Sequence, residues 1–72
     1  MPRLPSLSRR EFVAAMRRVG YSVSPERGDG SHYMLLHSER SSLTVPQTIS
    51  RGLLSKLIRD AGLSRDEFLN LL

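Results

Sequence analysis

Cysteine and tryptophan are absent from this sequence, and lysine occurs once, as Lys56. Without cysteine no disulfide can staple the chain. With His32 and His37 as the only histidines, the nitrogen and sulfur ligands of a structural zinc site are also missing. No apolar run approaches the length of a membrane span, and none follows a basic start as in an export signal. A soluble, cytoplasmic protein with no membrane partner is the expectation. Catalytic signatures are scarce too. There is no P-loop, no GxGxxG, no HExxH and no legible Ser-His-Asp set, and the carboxylates fall singly. No cofactor and no metal are expected.

What is present is a basic chain with enough apolar content to fold. Its 72 residues make one domain, 39% hydrophobic and 25% charged. Eleven basic residues against seven acidic give a net charge of +4, and all the basic ones but Lys56 are arginine. Arginine presents a planar fork of donors that matches phosphate oxygens, so a polyanion is among the partners this composition suits. Arg3, Arg9, Arg10, Arg17 and Arg18 crowd the first twenty positions, against Glu11 alone.

Residues 1–7 hold two prolines and no periodicity, and read as a lead-in to the single domain. Ser8-Arg9-Arg10-Glu11 matches a capping box, and Phe12, Met16 and Val19 share one helical face opposite Arg10 and Arg17. A helix is predicted over about 8–19, stopped by Gly20. Tyr21–Ser24 alternates as a short strand, 25–30 is a turn by composition, and 31–37 reads as a second strand. Residues 41–45 form a third strand, ended by Pro46. Met34/Leu36 and Tyr33/Leu35 are equally plausible inward faces of the second strand. Leu53, Leu54, Leu57, Ile58 and Ala61 form the apolar face of a second helix, closed by Gly62. Ser64-Arg65-Asp66-Glu67 caps a short third helix, expected to fray. The predicted fold is α+β: an α-β-β-β-α two-layer sandwich with helices on one face of a three-stranded antiparallel sheet, plus a short extra helix.

His32 follows Gly28-Asp29-Gly30-Ser31, where a glycine-bearing turn enters a strand. Such a turn lets a polyanion backbone approach, and an imidazole there can move a proton near neutral pH. The plain alternative is a strand-edge histidine without a special role. His37, just past the apolar run, reads as an exposed strand-end residue. Arg51, Ser55 and Arg59 recur every four residues on a basic helix face flanked by Lys56, which reads either as a phosphate grip or as a solvated surface.

Taken in order, several segments make the chain similar to a known family. These are Leu4-Pro5-Ser6-Leu7-Ser8-Arg9-Arg10-Glu11, Val19-Gly20-Tyr21, Arg27, Gly30-Ser31-His32, Thr44-Val45-Pro46 and the run from Arg51 to Ser64. Together they resemble the HicA/YcfA-like toxins of toxin–antitoxin pairs over nearly the whole chain. The chain departs in carrying Gln47 and Thr48 where relatives often have a histidine after Val-Pro, and Asp29 where they tend to be basic or neutral. The resemblance implies a double-stranded-RNA-binding-like fold, an mRNA interferase that blocks translation, and a HicB-type antitoxin covering the site. It implies that His32 is the catalytic histidine. Arg27, Gly30, Ser31, Arg51, Ser55, Lys56 and Arg59 are then expected to contact RNA phosphate. The competing expectations are a non-catalytic RNA-binding module and a protein-interaction domain.

Overall fold

Ser8 opens the first helix, α1 (Arg9–Arg17), in the computed structural model, which describes residues 6–24 and 32–72. The Ser8 hydroxyl accepts the Glu11 N–H at 3.2 Å, and the Glu11 carboxylate accepts the Ser8 N–H at 3.1 Å. This reciprocal cap satisfies donors the helix itself leaves open, and such caps contribute about 1 kcal/mol. α1 buries Phe12, Val13, Ala15 and Met16, and leaves Arg10, Ala14 and Arg17 outside. Gly20 stops it at φ +108°, a conformation that disfavours any side chain. The turn closes with the Tyr21 N–H donating to the Met16 carbonyl at 3.1 Å.

Three strands follow, β1 (Ser22–Val23), β2 (His32–Leu36) and β3 (Leu43–Pro46). They form one antiparallel sheet in the order β1-β2-β3. Val23 pairs with Leu35, Leu35 with Leu43, and Tyr33 with Val45. Leu35, Leu43 and Val45 are buried, with Val23 and Tyr33 half-buried beside them, so Tyr33 and Leu35 belong to the inward face of β2. The pleat puts His32, Met34 and Leu36 on the other face, across from Pro46, Thr44 and Ser22.

The chain returns through α2 (Arg51–Asp60), which buries Leu54, Leu57 and Ile58, and ends in α3 (Arg65–Leu69). α3 is anchored through Phe68 rather than frayed. Phe68 is fully buried and its ring lies 5.7 Å from that of Phe12, centroid to centroid. Burying such a side chain is worth about 1.5–3 kcal/mol, enough to hold a five-residue helix that propensity alone would not. The Arg18 guanidinium also donates to the Leu71 carbonyl. The observed class is α+β, with all three helices contributing to one core beside an open sheet. Among the described residues no helix is long and apolar enough to cross a membrane.

Candidate functional site

His32 is exposed at the first position of β2, opposite Pro46 at the end of β3. Two residues beyond Pro46, Thr48 bridges back to Ser8, the N-cap of α1. Two residues further, Ser50 caps α2, its hydroxyl accepting the Leu53 N–H at 3.2 Å. Both long helices therefore start at the end of the sheet that carries His32. Their dipoles place partial positive charge there, which favours anions. Arg9 and Arg51, the first residues of the two helices, add full charges. The Arg9 guanidinium lies over the Tyr33 ring, 3.6 Å from its centroid, so its position is set by a cation–π contact next to His32 in sequence.

The two helix starts differ in charge. At α1 the Glu11 carboxylate closes the cap and offsets the dipole, and hydrogen bonds from the Ser8 backbone and side chain hold that carboxyl below its usual range. At α2 no acidic residue lies in the first turn. Gly52 stands at its second position, and a Cβ there would meet nothing within 4 Å. No packing demand explains that glycine; what it leaves is bare backbone beside Arg51. The Ser50 cap carries no Ser-x-x-Glu signature, since Leu53 stands three residues later, so the sequence does not mark it.

The other residues singled out from sequence are spread over the molecule. Arg51 is at the His32 end. Arg59 is in the last turn of α2, about 12 Å further along the helix, where a cation complements the helix dipole. Ser55, between them, is half-buried. Lys56 is exposed and paired with Asp60 at 3.0 Å. Arg27, Gly28, Asp29, Gly30 and Ser31 lie outside the described residues. No group of three or more His, Cys, Asp or Glu that could hold a metal occurs among the described residues.

His37 is not an exposed strand-end residue. It is half-buried, with Nε2 2.9 Å from the Val19 carbonyl oxygen and Nδ1 accepting the Glu39 N–H at 2.9 Å. Both ring nitrogens are thus engaged by backbone groups. Tyr21 packs edge-on at 4.9 Å between ring centroids, and its hydroxyl donates to the Ser41 carbonyl at 2.7 Å. Burial raises the Tyr21 phenol above its ordinary pKa. Gly20 completes the cluster, since a Cβ there would lie 3.0 Å from His37 Nε2. Arg40 is likewise structural, donating to the Ala61 carbonyl at 2.7 Å beyond the end of α2.

The fold and this end of it define a small basic α+β protein with a histidine exposed where two helix N-termini converge. The family model of the HicA toxin of bacterial toxin–antitoxin systems matches residues 9–63. The chain belongs to that family: it is a toxin of a toxin–antitoxin system, with an antitoxin as its implied partner. A search of curated proteins returned no match.

Proposed function

We propose that this toxin is an endoribonuclease that cleaves mRNA without a metal ion and acts in the cytoplasm, with His32 moving a proton in the reaction. One observation carries the reading: His32 is exposed at the sheet end where α1 and α2 both begin. RNA brings its own nucleophile, the 2′-hydroxyl. Its oxygen attacks the adjacent phosphorus as a base takes its proton. The 5′-oxygen leaves with a proton from an acid, giving a 2′,3′-cyclic phosphate and a 5′-hydroxyl. His32 serves as one of these two proton carriers. The charge growing on the phosphate faces Arg51 and the N-terminus of α2, whose bare backbone at Gly52 admits a close approach. Gly30, Ser31 and Arg27 precede His32 in the chain and are proposed to contribute to phosphate binding. Ser55, Lys56 and Arg59 extend the contact along α2, where the ion pair of Lys56 with Asp60 weakens its share.

The antitoxin is proposed to cover the His32 site. The test is cleavage of a structured RNA in the presence of EDTA. Products ending in 2′,3′-cyclic phosphate, and no cleavage of an RNA with 2′-deoxy substitutions, are expected. Activity that EDTA abolishes and magnesium restores contradicts the proposal. A non-catalytic RNA-binding module would bind the same RNA and leave it intact.

A further inference from the structure

A groove of about 390 Å³ runs between α1 and the β1–β2 side of the sheet. Val13, Ala14, Val23 and Tyr33 line its apolar part, and Arg10 and Arg17 stand at its rim. The two arginines are exposed and seven residues apart on α1, hence about 10 Å along its axis. Neither has an acidic residue three or four positions away, and no ion pair engages either one among the described residues. Ala14 is exposed and small, so the middle of the groove stays open.

We propose that this groove seats an acidic amphipathic segment of the antitoxin, with apolar side chains on Val13, Ala14 and Val23 and carboxylates on Arg10 and Arg17. The chemistry favours a protein segment over RNA. A phosphate backbone gains nothing from valine and alanine methyl groups, whereas an amphipathic segment buries its apolar side on them and matches the flanking charges. Tyr33 is not an open platform for a base, because the Arg9 guanidinium already covers one face of its ring. The groove lies on the helix side of the sheet, whereas His32 belongs to the opposite face. Anchoring the antitoxin and covering His32 are thus tasks for different parts of that partner. The inference rests on membership of the toxin family and not on RNA cleavage.

The test uses the full chain, the antitoxin protein encoded with it, and a structured RNA. Arg10→Glu with Arg17→Glu, and separately Ala14→Trp, are compared with wild type for antitoxin affinity by calorimetry and for RNA cleavage. Thermal melting checks that each is folded. Both variants are expected to bind the antitoxin about tenfold or more weakly and to cleave RNA at the wild-type rate. Unchanged antitoxin affinity overturns the proposal. So does a loss confined to RNA binding, which would make the groove a nucleic-acid surface. If wild type cleaves no RNA, the nuclease reading fails while antitoxin affinity still decides this one.

Discussion

His32 and His37 bracket one strand, five residues apart in the chain, and the molecule treats them in opposite ways. His37 spends both ring nitrogens on backbone, tying the end of β2 to the turn after α1 and to its own loop at Glu39. His32 stands exposed at the other end of β2, where two helices begin. One is half-buried with its ring held by backbone groups; the other is exposed at the sheet end, where the proposed reaction would need it. A histidine's role is therefore set by the backbone groups around it rather than by its presence near a strand.

The comparison can be broken by substitution, and the largest expected effect is at His32. His32→Ala should slow RNA cleavage by about 10²–10⁴-fold, the usual contribution of a general acid or base, while RNA affinity stays near wild type. Parallel measurement of single-turnover rate and dissociation constant checks this. Gly20→Ala strikes the other histidine, forcing a side chain into φ +108° and against the His37 ring. A loss of about 1–3 kcal/mol in stability is expected, read from urea unfolding. Single substitutions on α2 sharpen the contrast between its two ends. Arg51→Ala should reduce the salt dependence of RNA binding by about one unit of slope, and Arg59→Ala by less. Equal effects would mean that the whole stripe grips phosphate.

The smallest effect concerns the caps. Hydrogen bonds from Ser8 and Ser64 hold the Glu11 and Glu67 carboxyls below their ordinary value of 4.5. A lowered folded-state pKa adds stability above the unfolded value, and that stability is lost as pH falls through the folded value. Melting temperature should therefore drop below about pH 4.5, and Glu11→Gln with Glu67→Gln should flatten that acid limb.

Local signals made much of this fold legible. Ser8 and Glu11, Ser64 and Glu67, Gly20 and Gly62 all mark helix ends through contacts within a few residues, which a sequence displays directly. The inward face of β2 was not legible, because Tyr33, Met34, Leu35 and Leu36 are apolar on both faces and pairing with Val45 and Leu43 decides the matter. The task of His37 was hidden because its partner is a carbonyl at Val19, eighteen residues away. Phe68 reads as one apolar residue in a weak helix until Phe12 is seen beside it. At the candidate site, His32 and Arg51 stood out as residue types. Their common end of the molecule depends on the pairing of His32 with Pro46, which no periodicity announces.

The most direct test of the account puts both histidines through both readouts. His32→Ala and His37→Ala are prepared side by side, and each is measured for RNA cleavage rate per folded molecule and for melting temperature. A crossed result is expected: His32→Ala loses cleavage and melts like wild type, while His37→Ala melts earlier and keeps its cleavage rate. Cleavage undiminished in His32→Ala would contradict it.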